Sequence, residues 1–377
     1  MEKRVAASRC ADYAPGAVEK ALERALELAP PPDVRGKVVL LKPNMLMGAR
    51  AEKAVSTHPE VLRAAIRAFR AAGASRILVG ESPGYQSMES AAVACGLSEV
   101  IESEGVEAAN FSRGAMVDNP RGALVKSFEF AGEWAQADIL VSLPKLKTHS
   151  LLRYTGAIKN LFGLVPGFAK AAFHFRFPEI SAFSRMIADL ALCAQADYAI
   201  MDAVVGMEGP GPGSGDPRKV GLILASANLL ALDRAACRII GYDPDEITYL
   251  AEALSSSAWL GPGEDAELVG EDLADIRVHG FKLVHRVDPV GFQKWVPAPL
   301  RALARAFLVP RPVFDGKKCL RCSACIGICP AAALSYAPDP SNARYGKRVA
   351  IDYRACIKCY CCHEICPADA IRLRRRA

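Results

Sequence analysis

Eight of the 13 cysteines fall into two copies of one pattern close to the end of the chain. Cys319, Cys322, Cys325 and Cys329 precede Pro330, and Cys356, Cys359, Cys362 and Cys366 precede Pro367. Both copies read C-x2-C-x2-C-x3-C-P, and the second repeats the first at an offset of 37 residues. Three thiolates at intervals of three wrap a short loop over one iron–sulfur cube, and the fourth, before proline, reaches the other cube. Proline lacks an N–H and stops the loop from continuing as helix. The spacing therefore assigns Cys319, Cys322, Cys325 and Cys366 to one 4Fe-4S cluster. It assigns Cys356, Cys359, Cys362 and Cys329 to a second. Cys361 falls off the register and is read as a non-ligand. Structural zinc favours two well-separated C-x2-C pairs, which these interlocked triplets do not resemble.

The flanks repeat as well, with Ala-Ala-Ala-Leu after the first run and Ala-Asp-Ala-Ile after the second. Over roughly residues 312 to 374 the segment resembles the two-cluster bacterial-type ferredoxins. That resemblance implies a small α+β unit that moves single electrons to and from a soluble donor or acceptor protein.

Charge is unevenly placed. The chain carries +6 overall, yet from Val313 onward 12 Lys and Arg face 5 Asp and Glu, so the first 312 residues are close to neutral. The terminal Arg372-Leu-Arg-Arg-Arg could touch nucleic acid or an acidic membrane, but a solvated basic end that attracts an acidic electron donor is the favoured reading. The remaining cysteines (Cys10, Cys95, Cys193, Cys237, Cys361) are scattered, as expected of free thiols in a reducing cytoplasm. The first residues lack the apolar core of a signal peptide. No run of eighteen apolar residues suggests a membrane span.

At 377 residues two domains are expected, and the boundaries read as 1–300, a linker at 301–312, and 313–377. The large part alternates helical and apolar strand-like segments. Helices are expected at 18–28, 59–72, 88–95, 181–194 and 229–240, and strands at 37–41, 76–79, 137–143, 197–205 and 219–225. Short apolar strands alternating with helices specify an α/β fold with a mainly parallel sheet covered on both faces. Chemistry in such sheets lies beyond the carboxyl ends of the strands. Those ends deliver Lys42 and Asn44, then Glu81, then Lys145, Lys147 and His149, then Asp202 and a glycine–proline loop containing Glu208. Five polar strand ends point to one cleft. Its centre is expected between Leu143 and Gly167, where Lys145, Lys147, His149, Arg153 and Lys159 suit a small anionic ligand or cofactor. The loop from Gly206 to Gly215 could cradle an anion or act as a lid, and it matches no nucleotide fingerprint.

The stretches Leu41-Lys-Pro-Asn, Ser56-Thr-His-Pro-Glu-Val, Gly80-Glu-Ser-Pro-Gly, Leu143-Pro-Lys-Leu-Lys-Thr-His, Thr155-Gly-Ala-Ile-Lys-Asn-Leu-Phe-Gly and Met201-Asp-Ala-Val-Val-Gly-Met-Glu-Gly resemble the family known as domain of unknown function 362. That resemblance covers nearly all of residues 1 to 280. The order His149, Thr155-Gly-Ala, Lys159, Pro166-Gly and His174 is also similar to a core segment of the lactate racemase family. By that similarity Lys159 would hold a nickel-pincer nucleotide, with His149 and His174 as ligand or acid–base groups. The flanking residues depart from that family, so the similarity implies shared ancestry of the fold rather than a shared reaction. The combined expectation is a cytoplasmic iron–sulfur oxidoreductase acting on an anion. Lys159, His149, Glu81 and Asp202 would carry the chemistry, with Lys42, Asn44, Lys145, Lys147, His174 and Glu208 binding. A non-enzymatic electron carrier and a racemase-like enzyme under redox control are the alternatives.

Overall fold

The computed structural model describes residues 3–109, 111, 113–167, 169–261, 263–285, 309–340 and 345–375. The expected linker at 301–312 falls mostly outside them.

The large unit runs β1 (Arg4–Arg9), α1 (Ala17–Leu28), β2 (Val38–Pro43), α2 (Pro59–Ala71), β3 (Arg76–Gly80), α3 (Met88–Cys95), α4 (Leu97–Ser103), β4 (Glu107–Ala109), β5 (Gly114–Asp118) and β6 (Ser127–Ala131). It continues through β7 (Ile139–Leu143), β8 (Lys145–His149), β9 (Arg153–Thr155), α5 (Ala157–Asn160), α6 (Ala169–Arg176), α7 (Ile180–Ala194), β10 (Tyr198–Glu208) and β11 (Asp216–Ser226). It closes with α8 (Leu229–Ile240), α9 (Thr248–Ser255), β12 (Glu267–Val269) and α10 (Leu273–Ile276).

The sheet order is β12-β1-β11-β10-β7-β2-β3-β4. Pairing is parallel from β10 to β4 and antiparallel where β11 meets β10 and β1. Successive side chains of a strand point to opposite faces, and the two cores follow that rule. In β2, Leu40 enters one core while Val39 and Leu41 enter the other. In β10, Ala199 and Met201 face the first core, and Tyr198 and Ile200 the second. Helices α7, α8 and α9 cover one face, and α1, α2 and α3 the other. The mainly parallel, helix-covered α/β sheet is thus present, with β11 running antiparallel to both its neighbours and the edge strand β12 parallel to β1.

One difference from expectation positions the site. The segment after β7 is strand, not loop: β7 pairs with the start of β10, and after Pro144 the chain continues as β8 beside the rest of β10. Every residue of β8 is buried. Its charged side chains hid it from a reading that looks for apolar strands.

The small unit is α+β. Strand β13 (Arg311–Phe314) pairs with β16 (Ile371–Arg374), and β14 (Leu334–Pro338) with β15 (Lys347–Ile351), with short helices α11 (Ala324–Gly327) and α12 (Cys361–Glu364) between. It docks on the large unit through Ala324, Ile328, Cys361 and Ile365, which pack with Met47, Val55, Ala171 and Met207.

Candidate functional site

Parallel strands β2, β3, β7 and β10 end at one edge of the sheet, and there β8, α5, α6 and the small unit enclose a cavity. It spans about 780 Å³ including its mouth. The large unit contributes Asn44, Glu81, Lys147, His149, Lys159, Lys170 and His174 to its wall. The small unit contributes Ile328, Cys361, Glu364 and Ile365.

Four expected groups are spent on two internal pairs instead. Lys145 Nζ lies 2.8 Å from Asp202 Oδ2 and 2.8 Å from the Tyr13 hydroxyl, and neither Lys145 nor Asp202 lines the cavity. Lys42 pairs with Glu81, so its charge is met before a ligand arrives, and only Glu81 reaches the wall. Burial pushes Lys42 and Lys145 below the ordinary lysine range, against the opposing pull of their carboxylates. Gly163 permits the Lys42–Glu81 pair: a Cβ there would sit 1.9 Å from Glu81 Oε1. Glu208 faces away, bonding the Lys282 amide at 3.0 Å and its ammonium at 3.3 Å.

Arg153 pairs with Glu246 at 2.8 Å outside the cavity wall, and the cations that face the cavity are Lys147, Lys159 and Lys170. Lys147 donates to Asn44 Oδ1 and to the Val55 carbonyl, both at 2.7 Å. Burial, with repulsion from Lys159 and Lys145, brings it down to about 7. Lys170 donates to the Ser82 and Val165 carbonyls at 2.7 and 2.9 Å and is lowered by burial, also to about 7. Lys159 differs. Its ammonium makes no hydrogen bond or ion pair among the described residues and lies 5.3 Å from the Phe162 ring. Burial lowers its pKa. Asp233 fixes where it points, accepting from the Ala157 and Ile158 amides at 2.6 and 3.0 Å at the start of α5.

His149 Nδ1 accepts from the Leu151 and Leu152 amides at 3.1 and 3.3 Å, so the ring proton belongs on Nε2. Nε2 stands 3.5 Å from Glu364 Oε1. Burial holds His149 well below the usual histidine range, so this contact joins a neutral ring to a carboxyl group rather than an ion pair. Glu364 Oε1 is buried without a hydrogen-bond partner, and burial raises that carboxyl. His174 lies flat on Phe183, centroids 4.2 Å apart, and burial lowers it to about 3, so it serves as a neutral wall. The glycine–proline loop is neither free lid nor open cradle. Its Gly211 carbonyl accepts from the Ser150 amide at 2.9 Å, its Pro210 carbonyl meets His363 Nε2 at 3.2 Å, and a Cβ on Gly213 would lie 2.3 Å from the Glu364 carbonyl. It is the seat of the small unit.

Sequence reasoning missed Lys170 and Glu364. The one local hint for Glu364 was an acid in a basic segment, inside the second cysteine run between Cys362 and Cys366.

Within the small unit, Cys319, Cys322, Cys325 and Cys366 line a single, mostly apolar cavity. Burial raises the Cys362 thiol, and the neighbouring Cys359, Cys356, Cys325 and Cys329 thiols raise it further. The Ala333 and Ala370 amides donate to Cys329 Sγ and Cys366 Sγ at 3.3 Å each. Thiols grouped in this way, with N–H donors already aimed at sulfur, fit an iron–sulfur centre.

A family profile described as "Domain of unknown function (DUF362)" matches residues 39–238, and one described as "4Fe-4S dicluster domain" matches residues 318–370. A thylakoid-associated protein of Synechocystis sp. is 31% identical over 291 residues, which is 75% of this chain and 88% of that protein. Among solved structures, the lactate racemase apoprotein of Thermoanaerobacterium thermosaccharolyticum aligns with a TM-score of 0.43 and 14% identity, over 65% of this chain and 58% of that one. A protein of Thermotoga maritima aligns at 0.36 and 14%, over 59% and 58%. At these values neither structure carries a reaction over to this chain.

Proposed function

The chain belongs to the DUF362 family and carries a 4Fe-4S dicluster domain, and from that premise we propose that it is an iron–sulfur oxidoreductase acting on a small anion held between its two units. The carrying observation is Lys159: a half-buried ammonium without a hydrogen-bond or ion-pair partner among the described residues, in a cavity closed on one side by the segment Cys361–Ile365. An unpaired charge partly withdrawn from water is costly, and an anionic ligand offsets that cost.

When bound, two 4Fe-4S centres supply single electrons within reach of the cavity. The ligand sets are Cys319, Cys322, Cys325 and Cys366 for one, and Cys356, Cys359, Cys362 and Cys329 for the other. Lys159 binds the anionic group, and Lys147 and Lys170 add positive charge beside it. His149 holds a proton on Nε2, where it can pass to a reduced ligand, and Glu364 stands 3.5 Å away to replace it. Phe162, Ile328 and Ile365 give the cavity an apolar side that excludes water and takes the body of the ligand. In this reading Lys145, Asp202 and Glu208 are structural. The two units span about 1–300 and 313–377.

We place the protein in the cytoplasm with a soluble electron donor, on its scattered free thiols. Among the described residues no helix is long and apolar enough to cross a membrane.

The test is native mass spectrometry of anaerobically purified protein. Wild type is expected to release a small anion near one equivalent per chain. Lys159→Ala should release none while keeping its iron. Equal ligand content in both would remove Lys159 from the site.

A further inference from the structure

We propose that the quartet containing Cys322 is the electron port of the molecule, and that the surface around it docks an acidic one-electron carrier protein. This rests on the reading above and gives it a direction. The two quartets differ in where they sit. Cys322 is solvent-exposed, and the adjoining Leu320 is 58% exposed. Both quartets have buried members, Cys325 and Cys366 in the first and Cys362 in the second, but no member of the second is exposed, and its Cys359 packs against the apolar cluster that joins the two units, beside the cavity-lining Cys361. One end of the pair faces water and the other faces the cavity. Electron transfer favours the shortest gap, so a carrier protein meets the first quartet and the ligand meets the second.

The charge around the port selects the carrier. Lys317, Lys318 and Arg348 are exposed, and Arg321 lies beside Arg348 in a shallow groove that also reaches Cys319. Two acids lie nearby, fewer than the four cations: the Asp315 carboxylate accepts the Lys317 and Lys318 amides at 3.0 and 3.4 Å, and Asp339 lines the groove with Arg321 and Arg348. An exposed apolar tip at Leu320 ringed by cations is a surface for an acidic partner with a small apolar contact. Such complementarity acts mainly on the rate of encounter and fades with salt. Each docking event moves one electron. The carrier is oxidised by one, the centre is reduced by one, and no bond is made or broken. Two events supply a two-electron reduction in the cavity.

The test follows reduction of the intact, cluster-loaded protein by a reduced acidic plant-type [2Fe-2S] ferredoxin in stopped flow. For wild type the second-order rate constant should fall steeply as salt rises. The double variant Lys317→Glu/Lys318→Glu should react at least tenfold more slowly at low salt and lose most of the salt dependence. Leu320→Asp gives a second, independent lesion and should also slow the reaction. Iron content, and reduction by dithionite, should be unchanged in both variants. Lys20→Glu, on the exposed side of α1, should match wild type. An unchanged rate in both port variants, or an equal loss in Lys20→Glu, overturns the proposal. The cavity is tested separately: Lys159→Ala should lose ligand yet accept electrons from the carrier at the wild-type rate.

Discussion

Lys147 and Lys170 share one cavity, and burial brings both to about 7, so the charge offered to an anion changes near neutral pH. Both are charged below that value and neutral above it. Affinity for the retained anion should therefore hold below pH 7 and weaken as pH rises through it, and binding should take up protons. Calorimetric titration in two buffers of different ionisation enthalpy checks this, and Lys147→Met should flatten the profile. The buried pair Lys145–Asp202 makes a different demand. Asp202→Asn strips the buried ammonium of its counter-charge and should cost roughly 3–5 kcal/mol of stability in denaturant unfolding, whereas Lys145→Met/Asp202→Leu should recover much of it. At this scale Lys147, His149 and Lys159 were legible because strand ends converge in a parallel sheet. The division of the lysines into paired and unpaired was not. It depends on Tyr13, Glu81 and Asp202 arriving from distant segments, and residue type says nothing about which charge is already met.

The helices were read to within a residue or two, with α3 at Met88–Cys95 and α8 at Leu229–Ile240, whereas β10 runs three residues past its expected end and β11 begins three residues early. Strand β8 escaped because Lys-Leu-Lys-Thr-His looks solvated, although it is buried along its whole length. A strand whose polar side chains point into a cavity has no apolar signature. The glycine–proline loop was recognised, but its role as the seat of the small unit depends on surfaces from both units and could not be seen locally. That role makes a prediction. In Gly213→Val the new side chain meets the Glu364 carbonyl, since even a Cβ would lie 2.3 Å from it. The small unit should be displaced, so the Ser150 amide, bonded to Gly211 in the native loop, should exchange its hydrogen faster. Ligand retention should fall while iron content stays at the wild-type level. Normal retention and normal exchange would show that the loop does not hold the interface.

The whole molecule joins two units of unequal self-sufficiency. The large one has a core on each face of its sheet, whereas the small one has a limited core in which several members are themselves cysteines. Ligation of iron must supply much of the small unit's stability. Anaerobic protein should contain close to eight irons per chain if both quartets are filled. Cys361→Ser should leave that number unchanged. Cys329→Ser should lose iron from the second quartet although it lies in the first run. Iron removal should unfold the small unit, expose the cavity and leave the large unit's transition in place by calorimetry. The repeat made the small unit legible from spacing alone. Nothing in the sequence said that its second half would close a cavity on the first unit, because that interface is built from scattered residues such as Met47, Ala171 and Met207. The central claim is that electrons cross this interface into the bound anion, and one anaerobic measurement addresses it. The clusters are reduced, the anion released from wild type is added in its oxidised form, and the cluster absorbance is followed. Stoichiometric reoxidation, absent in Lys159→Ala, is the predicted result. Clusters that stay reduced with the anion bound would contradict it.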